Sequence, residues 1–397
     1  MPRGAGWRRT TISIAALMRE SPDAAEIFIT ARTSQLRPPK RASSPAKAGR
    51  TRPPADGAQE VFEAVADLLG ACGARLFQER IFAAEPDLGA VLSGRADAYG
   101  DLDDGAPPCV LSVPEGPGGP VAGVQVHAVR GGTAPAVLRL GDEACGRSVR
   151  AGNYNYVALS GLSALEAGDG PTQTRAVFRK AEAALREAGG NIFSVVRTWL
   201  WLRDIASWYA RFNRARSEFF RERGILGPDP ALARLPASTG IGVRLAGGAW
   251  CGMDALAVVG GEAAIEYFGA AGRQQSACNY GSAFSRAARA PAPSGPAAYV
   301  SGTAAIDPAG ETQHAGDARG QIAATLENAA AALADVGCRD SDVVQAIVYA
   351  KTTDVLALFQ KEWPDLAWPH IAVLGDICRE DLLFEIEMTA ACGARRL

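Results

Sequence analysis

Residues Ala298–Ile306 read AYVSGTAAI, a run of small and apolar residues that ends in the turn Asp307-Pro308-Ala309-Gly310. The run predicts a strand, because its side chains alternate and a Pro-Gly turn follows. Apolar residues then recur at helical spacing from Ile322 to Leu333, and Val343–Ala350 (VVQAIVYA) predicts a buried second strand. This part of the chain therefore predicts a strand, a helix and a second strand.

The same unit continues to the end of the sequence. Asp354 is placed to cap a short helix that runs through Trp363, and Trp368-Pro369-His370 forms a proline-led loop. Leu382–Thr389 (LLFEIEMT) predicts the closing strand. The whole unit thus has the order strand, helix, strand, helix, proline-led loop, strand.

A second copy of this order lies in the middle of the chain, where Tyr156–Leu162 (YVALSGL) matches YVSGTAA. Such internal repetition is the first feature to establish in a sequence. The remaining elements predicted for this copy are a helix at Thr172–Gly189, a strand at Phe193–Leu202, a helix at Ile205–Arg223, a proline-led loop at Pro236–Gly242 and a closing strand at Trp250–Val258.

A degenerate first copy precedes them. Its predicted elements are a strand at Glu26–Thr33, a helix at Glu60–Gly73, a strand at Arg75–Ala84 and a closing strand at Val121–Val129. The stretch 37–54, rich in Pro, Ser, Ala, Lys and Arg, is interpreted as a mobile loop that could attract an anionic partner.

Three such copies predict an α+β protein of tandem βαβαβ units. Right-handed crossovers place the helices on one face of each sheet. Because one unit of this size buries little core alone, we expect the three to close against each other as an intramolecular pseudo-trimer. The predicted divisions are an N-terminal extension at 1–24, a degenerate unit at 25–135, a second unit at 145–262 and a third unit at 275–397.

Composition limits the classes of function. The 397 residues carry a formal net charge of −2, which gives no overall field to attract nucleic acid. No apolar run approaches the roughly 20 residues of a membrane span. The eight cysteines form no CxxC motif, and the three histidines are far apart, which argues against a zinc ribbon, a histidine metal site or a Ser-His-Asp triad. We expect a cytoplasmic monomer or weak oligomer that binds a small molecule and needs no metal and no cofactor.

Several motifs resemble known families. The three units resemble the RidA (YjgF) fold, whose members are usually homotrimers with clefts between subunits, so that this chain looks like a fused trimer. From about residue 150 to 393 the chain also resembles the chorismatases. The motifs that carry this second resemblance are Thr198–Arg203 (TWLWLR), Phe212–Phe219 (FNRARSEF), Leu235–Gly242 (LPASTGIG), Tyr280–Arg286 (YGSAFSR), Tyr299–Ala304 (YVSGTA) and Asp376–Glu387 (DICREDLLFEIE).

The resemblance implies an activity. Chorismatases split pyruvate from chorismate, a ring acid that bears an enol-pyruvyl ether. One type hydrolyses it to a dihydroxy-cyclohexadiene acid, and another type, which carries a cysteine seven positions before the catalytic acid, gives 3-hydroxybenzoate. Cys378 and Glu385 stand at that spacing, which favours the 3-hydroxybenzoate product.

Cleavage of an enol ether requires a proton on the vinylic carbon, and a carboxylic acid kept neutral by an apolar site can supply it. If Phe384 and Ile386 face the core, Glu385 and Glu387 face the opposite side, where we expect the cleft. The alternative is that both carboxylates face solvent or pair with arginine. Cys378 is interpreted either as a group that steers the intermediate or as a small buried apolar residue.

A dicarboxylate substrate needs cations, for which arginine is best suited. Arg286, Arg216 and Lys351 are the candidates, although Arg216 lies on a helix with many arginines and could face water. Tyr280 could hydrogen-bond a carboxylate or be a core aromatic residue. Backbone N–H groups at Thr239 and Gly240 could bind an oxygen anion.

Two other functions are open. RidA enzymes that hydrolyse imines or enamines rely on an arginine just after the proline of the proline-led loop. Here Val110, Ser238 and His370 hold these positions, which speaks against a deaminase. The second alternative is a non-catalytic ligand-binding or scaffold protein. A chorismatase-like enzyme whose substrate has changed is a further possibility, because neighbouring units build the walls of the cleft.

Overall fold

The computed structural model describes residues 10–35, 56–115, 119–229 and 233–397. The basic segment 37–54 lies outside these residues. The described chain forms three mixed sheets of seven, six and six strands, with six α-helices. The predicted α+β architecture of three repeated units is therefore confirmed. No helix in these residues is both long enough and apolar enough to cross a bilayer.

The first unit contains five strands and two helices. These are β1 (Thr10–Glu20), β2 (Ala24–Gln35), α1 (Asp56–Cys72), β3 (Arg75–Ala83), α2 (Leu88–Tyr99), β4 (Cys109–Ser112) and β5 (Val121–Gly131). Strand β1 pairs antiparallel with β2 along its full length. The segment predicted as an N-terminal extension thus contributes a long strand to the first sheet.

The second unit has the same order, with a preceding strand and one short additional strand. Its elements are β6 (Ala136–Leu140), β7 (Glu143–Ala151), β8 (Tyr154–Leu162), α3 (Gly170–Glu187), β9 (Val195–Leu202), α4 (Tyr209–Glu222), β10 (Ala237–Ile241), β11 (Arg244–Leu245) and β12 (Cys251–Val259). Its sheet begins at Ala136, ahead of the boundary predicted at residue 145.

The third unit completes the repeat. Its elements are β13 (Glu266–Phe268), β14 (Ala287–Ala292), β15 (Gly295–Ala304), α5 (Ala318–Asp335), β16 (Val343–Ala350), α6 (Thr353–Glu362), β17 (His370–Leu374), β18 (Phe384–Ala390) and β19 (Arg395–Arg396). The cap of α6 is Thr352, whose side chain accepts a hydrogen bond from the Val355 N–H group, and not Asp354 as predicted.

The proline-led loops are short strands rather than loops. Strands β4, β10 and β17 each run parallel to the second long strand of their unit, and the first residue pairs are Arg80 with Cys109, Arg197 with Ala237 and Ala346 with His370. A proline immediately precedes the first paired residue in every case, a place where its missing N–H group costs no ladder hydrogen bond. Pairing with the closing strand defines equivalent positions: Asp254 pairs with Trp199 of β9 as Glu385 pairs with Tyr349 of β16, and Trp199 and Tyr349 both face the core between the units.

The three sheets pack against each other through the faces that carry no helix. One apolar core joins residues of all three sheets, among them Phe77, Trp199, Tyr299 and Tyr349, whereas three separate cores lie between each sheet and its helices. The first sheet also receives β11 from the second unit and β19 from the third. The units thus close into the predicted pseudo-trimer, in which each inter-unit seam is a potential cleft.

Candidate active site

A cavity of about 520 Å³ opens where the second and third units meet. The second unit supplies one face of α4 and the start of β10, and the third supplies residues between Tyr280 and Ile306 together with the segment from Cys378 to Glu385. The arginines among its lining residues are Arg214, Arg216, Arg221, Arg286 and Arg379. Within the described chain, Glu385 is the single acid among them, so the cavity is strongly cationic.

Glu385 lies on β18, paired with Tyr349 of β16 and Ala304 of β15. Its neighbours Phe384 and Ile386 are fully buried in the core beneath α5, so strand alternation turns Glu385 to the opposite side, into the cavity. The side chain is buried, and no described residue donates a hydrogen bond to it. Burial raises the pKa of Glu385 to about 8, although the charges of Arg286 and Arg197 act in the other direction. The carboxyl is therefore mainly protonated at neutral pH.

Gly302 makes room for this carboxyl. A Cβ atom at position 302 would overlap Oε1 of Glu385 and approach the Thr239 methyl group within 3.1 Å. The adjacent Ser301 joins the two units, because its Oγ accepts a hydrogen bond from the Ser238 N–H group at 2.8 Å. The absence of a side chain at Gly302 thus admits both the Glu385 carboxyl and the Thr239 side chain of the second unit.

The equivalent position in the second unit has a different environment. Asp254 of β12 lies beside Gly161, as Glu385 lies beside Gly302, and its Oδ1 accepts a hydrogen bond from the Gly161 N–H group at 2.8 Å. Its other oxygen accepts from Nε of Arg80 at 2.7 Å, in a fully buried ion pair between the first and second units. Asp254 is thus held by an ion pair and a backbone donor, whereas in the described part of the chain Glu385 forms no ion pair and accepts no backbone hydrogen bond.

The third seam, between the third and first units, is closed by packing. Ile371 of β17 lies so near Gly123 of β5 that an added Cβ at residue 123 would come within 2.7 Å of its terminal methyl group. Gln125 Nε2 donates to the Ala346 carbonyl across the same seam at 2.8 Å. Of the three equivalent places, only the one around Glu385 combines a cavity with an unpaired acid among the described residues.

Glu387, the second of the two predicted acids, forms a buried ion pair with Arg197. Its Oε2 accepts hydrogen bonds from the Arg197 guanidinium, from Nε1 of Trp199 at 2.5 Å and from the Thr239 hydroxyl at 3.0 Å. The group is buried behind the cavity, where Arg197 is also buried. The interpretation that both carboxylates face solvent is wrong, and the interpretation of an arginine pair holds for Glu387 alone.

Arg216 is buried, in contrast to the alternative that it faces water. Its side chain is only 2% exposed, its Nη2 donates to the Asn213 side chain at 2.7 Å, and its Nε has no hydrogen-bond partner. No carboxylate in the described chain pairs with it. A buried guanidinium without a counter-ion is costly, and it favours an anion in the cavity beside it.

Arg286 and Tyr280 act as a pair. Nη2 of Arg286 donates to the Tyr280 hydroxyl at 2.7 Å, and its Nε donates to the Gln275 carbonyl at 3.0 Å. Arg379 lies over the other part of the Tyr280 ring, with its Cζ atom 5.3 Å from the ring centroid. Tyr280 is partly exposed at the cavity rim and is therefore not a core aromatic residue.

Cys378 forms part of the cavity wall close to Glu385. Burial raises the pKa of its thiol to about 12, and the Glu385 charge adds to this effect, so Cys378 is a neutral thiol. Tyr209, the first residue of α4, also lines the cavity, and burial raises its pKa. Sequence reasoning missed Tyr209, which lies three residues before the motif Phe212–Phe219, and Arg379, which lies inside the motif Asp376–Glu387.

Two of the predicted binding residues lie elsewhere. Lys351 is outside the cavity, since its Nζ donates to the carbonyls of Arg379 and Glu380 and lies 3.3 Å from Asp376. Thr239 lies behind the cavity wall, where its hydroxyl donates a hydrogen bond to Glu387. Of the predicted pair Thr239 and Gly240, Gly240 alone lines the cavity. The structure therefore brings Glu385, Cys378, Arg286, Tyr280, Arg216 and Gly240 together, but neither Lys351 nor Thr239.

Comparisons with known proteins agree with this architecture. The family model described as endoribonuclease L-PSP matches residues 147–259 and 276–392. The two segments make up more than half of the chain, and the protein therefore belongs to the endoribonuclease L-PSP family, which includes the RidA (YjgF) proteins. No curated protein sequence matches the chain significantly.

Solved structures extend the likeness to the first unit. A crystal structure of a chorismatase superposes with a TM-score of 0.60, covering 80% of this chain and 93% of that chain at 23% identity. A YjgF-family protein from Neisseria meningitidis covers 32% of this chain at 23% identity with a TM-score of 0.25. A putative endoribonuclease from Thermotoga maritima covers 27% at 25% identity with a TM-score of 0.23. The first of these shows that the fold of 80% of this chain is shared with a chorismatase.

Proposed function

We propose that this protein is a chorismatase-like enzyme that releases pyruvate from chorismate or a closely similar enol-pyruvyl ether. The single observation that carries the proposal is the state of Glu385. It is a buried carboxyl without a hydrogen-bond partner among the described residues, its pKa is raised to about 8, and it faces a cavity lined by arginines. A neutral carboxylic acid of this kind is suited to proton donation.

The chemistry follows from that proton. Glu385 protonates the vinylic methylene carbon, and the ether carbon becomes an oxocarbenium-like centre. Attack by water gives a hemiketal, and the proton that the water loses returns to Glu385. The bond between the hemiketal carbon and the ring oxygen then breaks as the hemiketal hydroxyl proton passes to that oxygen, which releases pyruvate. Attack by the ring hydroxyl gives a cyclic ketal and also returns a proton to Glu385; the attacking oxygen then separates from its ring carbon, the ring aromatises by losing the neighbouring C–H proton, and the pyruvyl carbon separates from the phenolic oxygen, which takes up that proton. In the hydrolytic outcome one water is consumed. If the ring aromatises to 3-hydroxybenzoate, this product and pyruvic acid together contain all the atoms of chorismic acid, and no net water is used.

The arginines support a dicarboxylate substrate. Arg216 and Arg286 line the same cavity, neither is paired with a carboxylate of the described chain, and both are almost fully buried. A substrate carboxylate at each would supply the missing negative charge, and bidentate geometry would orient the ring. Phe284 lies between them, with the two guanidinium carbons 5.6 and 5.4 Å from its ring centroid. This apolar surface could contact the substrate ring between its two charged ends.

The deaminase alternative receives no support from the remaining proline-led position. His370 would have to be a cation to replace the missing arginine, but burial lowers its pKa to about 4. Its Nδ1 lies 2.8 Å from the Trp368 carbonyl, which identifies this nitrogen as the protonated one in the neutral ring. A neutral imidazole offers little attraction to an anionic substrate.

The test uses the full-length protein with chorismate and measures pyruvate release. We expect release by the wild type and a loss of at least about 10²-fold in Glu385→Gln, the usual scale for removing a general acid. Glu380→Gln is the matched control, because Glu380 is an exposed acid on the preceding loop and does not line the cavity. Equal rates in the wild type and Glu385→Gln would refute the role of Glu385. Ammonia release from 2-aminoacrylate with no reaction of chorismate would instead establish the deaminase.

A further inference from the structure

A cluster of two cysteines and an aspartate lies far from the cavity, at the opposite edge of the third unit. Cys338 follows the turn that ends α5, Asp342 precedes β16, and Cys392 follows β18. The Sγ atoms of Cys338 and Cys392 are 3.4 Å apart, and the two sulfurs and an Asp342 carboxylate oxygen all lie within 4.8 Å of one another. Three potential metal ligands from three segments thus converge on one point.

Backbone hydrogen bonds fix these ligands in place. The Cys338 N–H group donates to the Leu333 carbonyl of α5 at 3.1 Å, and the Ala391 N–H group donates to the Asp342 carbonyl at 2.8 Å. The Asp342 carboxylate is almost fully buried, and its Oδ2 accepts from the Arg339 N–H group at 2.8 Å. In metal sites, hydrogen bonds of this kind from residues that do not touch the ion hold the ligating carboxylates in position.

The two thiols and the Asp342 carboxylate are donors that one divalent cation can share. Thiols lose their protons on coordination, and the positive ion makes the neighbouring carboxylate favourable.

The geometry suits a soft metal ion of tetrahedral preference. Zinc binds thiolate at about 2.3 Å and carboxylate at about 2.0–2.2 Å, which places tetrahedral donors roughly 3.5–3.8 Å apart. Only small movements of the side chains are needed to reach this arrangement. Magnesium and calcium are disfavoured here, because they prefer oxygen ligands and two of the three donors are sulfur.

An adjacent cavity of about 260 Å³ is lined by Cys338, Cys392, Arg289 and Ser294 among others. Two thiolates, one carboxylate and a zinc ion carry a net charge of −1. Arg289 contributes a positive charge that acts on the Cys338 thiol, and it can balance this site. A water molecule or a small anion in the cavity would complete the coordination.

We propose that Cys338, Asp342 and Cys392 bind a zinc ion that ties the C-terminal segment to the end of α5. The site is independent of the proposed enzymatic reaction. Its position has a structural consequence, because β19 begins after the two residues that follow Cys392 and pairs with β1 of the first sheet, Leu17 with Arg396 and Met18 with Arg395. Zinc at this point would hold the segment that joins the third unit to the first.

The test uses full-length protein without an affinity tag, purified under reducing conditions and loaded with zinc or cobalt. We expect about one zinc per chain in the wild type after dialysis, and a loss of at least about tenfold in affinity in Cys392→Ser and Asp342→Asn. Cobalt should give a thiolate charge-transfer absorption in the near ultraviolet that both variants lose or weaken. Cys72→Ser is the matched control, since Cys72 is partly exposed in the first unit and should leave metal binding unchanged.

Circular dichroism verifies that the variants are folded, and Cys392 is exposed, so its replacement by serine should be tolerated. Equal metal content in the wild type and Cys392→Ser would overturn the proposal. So would a Cys338–Cys392 disulfide in the purified protein if the reduced form then fails to bind cobalt. Pyruvate release plays no part in these measurements, so failure of the proposed reaction leaves their outcome interpretable.

Discussion

The buried acid at position 385 makes a quantitative prediction about stability. The pKa of Glu385 rises from an ordinary 4.5 to about 8 in the folded protein. At about 1.4 kcal/mol per pKa unit, this shift corresponds to about 5 kcal/mol that favours the protonated form. Stability from this group is fully present below pH 4.5, falls by about 1.4 kcal/mol per pH unit above it, and levels off once the folded-state carboxyl ionises near pH 8.

Replacement of Glu385 by glutamine removes this dependence, because the amide keeps nearly the same shape and does not titrate. The free energy of unfolding of Glu385→Gln minus that of the wild type should therefore become more positive as pH rises from 4.5 to 8, by a few kcal/mol and at most about 5. Urea titrations of both proteins at several pH values measure this difference, in which the contributions of all other groups cancel. A difference that stays constant across this range would refute the buried, protonated state of Glu385.

Further predictions concern the groups around the acid. Glu387→Gln should leave the Arg197 charge uncompensated, and that charge should then lower the Glu385 pKa. The pH above which the rate of pyruvate release falls should therefore decrease. An unchanged pH–rate profile would contradict this coupling between Arg197 and Glu385. Gly302→Ala should reduce pyruvate release by at least about tenfold with the fold retained by circular dichroism, because the new methyl group displaces the Glu385 carboxyl. Cys378→Ala should change the ratio of 3-hydroxybenzoate to the dihydroxy acid, measured by chromatography; an unchanged ratio would show that the thiol does not steer the intermediate.

Much of the fold could be predicted from the sequence because the repeat is strong. The strand at Val343–Ala350 is found as predicted, and alternation along Phe384, Glu385 and Ile386 correctly indicated the side on which the acid lies. The strand preceding each unit was missed, and so were β4, β10 and β17. These last strands are only four or five residues long, which is too short for a clear alternation of apolar and polar residues. Their strand conformation depends on pairing with the neighbouring long strand.

The site was harder to predict where it depends on contacts between units. The partner of Glu387 is Arg197, 190 positions away on another unit, and no local signal indicates that pairing. Lys351 follows strand β16, but its ammonium group binds the Arg379 and Glu380 carbonyls and lies beside Asp376 instead of lining the cavity. Cys338 and Cys392 are likewise separated by 54 positions, and spacing rules for metal motifs do not apply at that distance.

The Arg80–Asp254 ion pair has a consequence for ligand stoichiometry. A homotrimer built from identical subunits must present the same residues in all three of its clefts, so a saturating ligand would occupy three sites per assembly. Among the described residues, one seam holds the Arg80–Asp254 ion pair and a second is filled by Ile371, so only the place around Glu385 of the three equivalent places is open to a ligand. Titration with a tight-binding analogue should accordingly reach its endpoint at one equivalent per chain, without the cooperativity that communicating sites can produce.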